Sequence, residues 1–110
     1  MLRVILESPW RGDDRYYTPE FQQYARECME FCLDNGAAPI PFHLLYTQVL
    51  DDTTTREREL GMKAAQSWYG QAEEVWVFED FGISDGMLEG IRKARQRHKT
   101  VKYFKIREAK

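Results

Sequence analysis

The chain has 110 residues, of which 43% are hydrophobic and 14% aromatic, enough for one ordinary domain with one core and too apolar for a disordered chain. Sixteen Lys and Arg against eighteen Asp and Glu leave a net charge of -2, so no broad basic field exists to hold an extended nucleic acid. No stretch approaches the roughly 18 apolar residues of a membrane span, and Met1 leads into a strand without a charged or apolar signal segment, so the expectation is a cytoplasmic protein with no membrane partner.

Leu2 to Glu7 is a near-continuous apolar run, with Val4 and Ile5 flanked by Leu2 and Leu6, and predicts a strand buried on both faces. Pro9 and Gly12 break it, and Asp13-Asp14 extend the loop. Thr18-Pro19-Glu20 then supplies an N-cap, a first-turn proline and an early acid, predicting a helix to about Asp34, where Asn35-Gly36 stops it. Phe21, Ala25, Cys28 and Cys32 mark its inner face. The two cysteines read as small apolar core residues, because no four-ligand zinc set accompanies them, and neither a metal nor a cofactor is expected.

Residues 38–42 carry Pro39 and Pro41 and predict an irregular or edge strand. Residues 43–55 read as a turn-rich connection ending in Thr54, which with Glu57 three residues on makes a capping box for a second helix to about Tyr69. Glu73 to Phe78 is the next strand, Ser84 caps a third helix to about His98, and Val101 to Ile106 is the last strand. Strands alternating with helices across residues 1–110 predict an α/β domain, a small doubly wound parallel sheet of about four strands with helices on both faces. Ligands in that architecture bind beyond the C-terminal ends of the strands, here residues 8–17, 43–56 and 79–87.

In the first of these segments Ser8-Pro9-Trp10-Arg11-Gly12 offers a hydroxyl, a guanidinium and a close-approach glycine, and Trp10, Tyr16 and Tyr17 offer flat surfaces for a base or for packing. His43 follows the second strand and either contacts the ligand or acts as an acid or base, or else is a hydrogen-bonded structural residue. In the third segment Glu79 and Asp80 end a strand, and Ser84, Asp85, Gly86 and Met87 open a helix whose free amides suit ribose or phosphate oxygens, or else simply cap it. A turn of 100° per residue puts Met87, Ile91 and Ala94 on the core face, Gly90 at its edge and Glu89 toward solvent. On the second helix Glu57, Leu60, Ala64 and Trp68 share a face, so Glu57 either reaches the pocket or caps the helix. His98, among Arg95, Arg97 and Lys99, reads as solvated surface at a helix C-terminus.

These strings, with Pro41-Phe42-His43, Tyr46-Thr47-Gln48, Asp51-Asp52, Glu57-Arg58-Glu59-Leu60-Gly61-Met62, Val75-Trp76-Val77-Phe78 and Ile83-Ser84-Asp85-Gly86-Met87, resemble a family of phage and bacterial domains akin to the nucleoside 2-deoxyribosyltransferases. The resemblance spans nearly the whole chain and implies a flavodoxin-like fold, a nucleoside- or nucleotide-like ligand, and a homodimer or larger oligomer. It also implies a glutamate near the start of the last helix attacking the sugar, with other acids around it. Here the sequence departs, with Glu89 displaced by one residue and Gly90 where the nucleophile is expected. The combined expectation is a ligand-binding protein, of the kind a phage uses to sequester a nucleotide signal. The alternative is an N-glycosidase or 2-deoxyribosyltransferase working through Glu89, Glu79, Asp80 or Glu57.

Overall fold

The computed structural model describes residues 1–10, 19–51 and 53–107. Four strands, β1 (Leu2–Glu7), β2 (Ala37–Ile40), β3 (Glu74–Phe78) and β4 (Thr100–Phe104), form one sheet in the order β2-β1-β3-β4, and every pairing is parallel. Between them run α1 (Pro19–Asp34), a single turn α2 (Phe42–Leu45), α3 (Thr55–Gln66) and α4 (Asp85–Gln96). The expected doubly wound α/β architecture is the observed one.

The apolar run of β1 is buried on both faces because its side chains alternate between two cores. Val4 and Leu6 join Trp76 and Phe78 of β3 against Tyr24, Cys28 and Cys32 of α1. Ile5 joins Val75 and Val77 against Met87, Ile91 and Ala94 of α4, with Phe42 and Tyr69. Both cysteines are free and buried, and burial pushes their thiols up, Cys32 to about 12, so they stay protonated packing groups. Helix α1 stops as expected, with Gly36 in the left-handed region at φ 77° and Asn35 Nδ2 donating to Phe31 O at 2.8 Å. Helix α4 ends at Gln96, and two residues on the exposed His98 holds φ 58°.

Three expectations change. Residues 42–48 are not a plain loop but α2 followed by a 3-10 turn, Tyr46–Gln48. Helix α3 ends at Gln66, and Tyr69 sits in a separate 3-10 turn, Tyr69–Gln71, with its ring in the core. The face of α3 assigned from periodicity is also wrong: Leu60 is 47% and Trp68 52% exposed. Of that face Glu57 does turn inward, joined by Arg58, Gly61, Met62, Ala65 and Gln66, and these line a cavity that lies under the helix. An amphipathicity argument fails there because the face turned inward covers space and polar groups rather than a packed core.

Candidate functional site

From β1 the chain runs out to β2 on one side, and its other neighbour is β3, so the crevice beyond β1 and β3 is the topological switch point of the sheet. A cavity of about 140 Å³ opens there. Glu7, the last residue of β1, is on its floor; Phe42, His43, Tyr46 and Thr47 form one wall, α3 another, and Gly86, Glu89 and Gly90 of α4 a third.

The floor is built around Glu7 and Gly90. A β-carbon on residue 90 would lie 2.7 Å from Glu7 Cδ, so the bare glycine of α4 is what lets the carboxyl lie against that helix. The Tyr69 hydroxyl hydrogen-bonds Glu7 and lies 3.4 Å from Gly90 O. Desolvation pushes the Glu7 carboxyl up to about 8, only partly opposed by the Tyr69 bond, so Glu7 carries its proton at neutral pH. Burial acts oppositely on a base and pushes His43 down to about 4, leaving a neutral imidazole whose Nε2 lies 2.7 Å from Ser8 Oγ. Phe42 and Tyr46 stack at 5.7 Å and 13°, and Trp68 Nε1 donates to the Tyr46 hydroxyl at 3.1 Å, fixing an aromatic wall.

The predicted residues divide. Glu57, His43, Gly86 and Glu89 line the cavity. Glu57 also caps: its carboxylate accepts from Asp51 N at 2.7 Å, and its amide donates to Thr54 Oγ1, so the reciprocal half of the expected box goes to Asp51 instead. Glu89 does not point simply to solvent; its side chain is 24% exposed, lines the cavity and is ion-paired to Arg92 one turn on. Ser8 and Pro9 are buried beside His43, and Trp10 meets the imidazole edge-on at 5.7 Å. Arg11, Gly12 and Tyr17 lie outside the described residues.

The others are drawn into structure. Asp80 accepts from Tyr24 OH, from Ile106 N at 3.0 Å and from Arg107 N at 2.8 Å. Burial would raise its carboxyl, but these hydrogen bonds outweigh that and hold it below the usual range. It fastens the segment after β4 to α1, where Arg107 also grips Glu27 at 2.9 and 3.0 Å, and it is not among the cavity's lining residues. Ser84 Oγ accepts from Met87 N at 3.2 Å as an N-cap, and Met87 is core. Neither Glu79 nor Asp85 lines the cavity.

What sequence reasoning missed is Glu7, Tyr46, Arg58 and Tyr69. The signal for Glu7 was present: an acid closing an apolar parallel strand stands at the binding end of the sheet. Arg58, Gly61, Met62, Ala65 and Tyr69 follow helical spacing, but only the fold shows which face looks inward.

One family model, described as Domain of unknown function (DUF7768), matches residues 2–104, nearly the whole chain and every strand of the sheet. The chain belongs to that family. No curated protein and no solved structure matches it. Among the described residues no group of three or more His, Cys, Asp and Glu is placed to hold a metal ion, and no helix is long and apolar enough to cross a membrane. The cavity of this chain offers hydrogen-bonding groups, an aromatic wall and carboxyl groups.

Proposed function

We propose that this protein binds a nucleoside- or nucleotide-like ligand in the cavity at the C-terminal ends of β1 and β3. The observation that carries this reading is the stacked Phe42–Tyr46 wall standing over a polar floor at the switch point. An aromatic face accepts a planar ring, while Glu7, His43, Gln66 and Thr47 supply hydrogen-bonding groups around its edge. The resemblance to nucleoside 2-deoxyribosyltransferases points to the same ligand class. Calorimetric titration with a panel of nucleosides and nucleotides tests it: binding that weakens at least tenfold in Tyr46→Ala supports the reading, and absence of heat across the panel ends it. Binding without turnover would also serve the phage strategy of sequestering a nucleotide signal.

The second reading is N-glycosidic hydrolysis or deoxyribosyl transfer, favoured by the three carboxyl groups, Glu7, Glu57 and Glu89, around one cavity. Release of free base from deoxynucleosides, lost in Glu89→Gln, would establish it. We also propose a homodimer or larger homo-oligomer, supported by the exposed apolar side chains Leu45, Val49, Leu60 and Trp68 on the α2 to α3 side. Sedimentation of the purified chain as a monomer at micromolar concentration would exclude it.

A further inference from the structure

The size and charge of the cavity constrain which end of a ligand enters it. A cavity of about 150 Å³ holds one benzene ring, and the space here is about 140 Å³. One five- or six-membered ring therefore fits inside, and the rest of a nucleoside stays at the mouth. The floor is acidic: Glu7 lies there against Gly90, with Glu89 and Glu57 on the walls, and among the described lining residues Arg58, in the second turn of α3, carries the positive charge. The Tyr69 hydroxyl bonds Glu7, with Arg97 5.5 Å from the Tyr69 ring, and Tyr46 and the neutral His43 line the same cavity. An anion on this floor would lose its water with no cation beside it among the described floor residues and with the Glu57 and Glu89 carboxylates on the walls, costs that are larger in a water-poor site than in water.

We infer that the cavity admits an uncharged, hydrogen-bonding single ring, a pyrimidine base or a furanose, down to Glu7, and leaves any phosphate outside, on the Arg58 side of the opening. This rests on the nucleoside reading and makes it more specific, because it orients the ligand and makes the floor around Glu7 a seat for an uncharged group. An uncharged ring can accept the proton of Glu7 or donate to its oxygens, so it satisfies the floor in either protonation state.

The test is titration of cytidine, cytidine 5′-monophosphate and inorganic phosphate between pH 6.5 and 9.5, with Arg58→Ala alongside. The expected result is that cytidine and its monophosphate stay within about threefold of each other through this range, and that inorganic phosphate displaces neither. Arg58→Ala should weaken the monophosphate severalfold more than the nucleoside. Intermolecular NOEs from the base or the sugar protons to Tyr46 and Glu7 then say which ring is inside. A phosphate seated on the floor would hold Glu7 protonated, so the monophosphate's affinity would fall about tenfold per pH unit above pH 8. That slope, or displacement of cytidine by inorganic phosphate, overturns the inference and leaves nucleotide binding standing. If neither cytidine nor its monophosphate binds while other nucleosides do, the inference fails and the wider reading survives. If nothing in the nucleoside panel binds, both fail.

Discussion

The carboxyl group of Glu7 rests against the α-carbon of Gly90, so the end of the first strand and the middle of the last helix share one volume that holds a carboxyl only because residue 90 has no side chain. That contact couples the two positions energetically. In a helix interior Gly→Ala is ordinarily favourable by about 1 kcal/mol. With Glu7 in place, Gly90→Ala should lose that gain, because the new methyl pushes the carboxyl off Tyr69 and into the cavity. In the Glu7→Ala background the same substitution should stabilise by about 1 kcal/mol. A double-mutant cycle by urea denaturation measures the difference, and a coupling indistinguishable from zero would refute the contact.

Glu7 and His43 give stability an asymmetric pH profile. The folded carboxyl titrates near 8 against an ordinary value of 4.5, so its contribution is full below 4.5 and is lost as pH rises to 8. The folded imidazole titrates near 4 against 6.5, so its contribution is full above 6.5 and is lost as pH falls to 4. Between 4.5 and 6.5 the two slopes oppose each other; between 6.5 and 8 the Glu7 slope stands alone, at no more than ~1.4 kcal/mol per pH unit. Glu7→Gln should therefore flatten the decline from pH 6.5 to 8 and raise the melting temperature at pH 8.5. A decline unchanged in Glu7→Gln would assign it to another group.

Asp80 is expected to matter for stability and not for binding. Asp80→Ala strips acceptors from the part-buried Tyr24 OH and Ile106 amide, each costing about 1 to 3 kcal/mol when left short of a partner, whereas the exposed Arg107 amide turns to water. Chemical denaturation should show a loss of ~2 kcal/mol or more, with nucleoside affinity of the folded fraction unchanged. A stable variant with weakened binding would return Asp80 to the ligand site.

Met87 separates in the same way. It is 1% exposed among Ile5, Val77 and Ile91, so Met87→Ala should cost ~2 to 5 kcal/mol through the cavity it opens. Met87→Leu, which conserves volume, should cost under about 1.5 kcal/mol. Equal, small losses in both would mean that the side chain is not packed as described.

The architecture was legible in the sequence because its signals are local. The apolar run of β1, the Asn35-Gly36 stop after α1, the Thr54 and Ser84 caps and the Met87, Ile91, Ala94 stripe each act within a few residues, and together they order the elements of a parallel α/β sheet. The rule that ligands bind beyond strand ends also pointed to segments that line the cavity, including His43, Glu57 and Gly86. Tertiary structure decided which side chains meet there. Whether Glu89 faces solvent or cavity, whether α3 turns Leu60 or Gly61 inward, and whether Asp80 serves a ligand or the chain after β4 depend on neighbours tens of residues away. The meeting of Glu7 with Gly90, 83 positions apart, was beyond periodicity altogether. A carboxyl's protonation depends on the water it loses to its surroundings, and that loss is set by packing rather than by residue type.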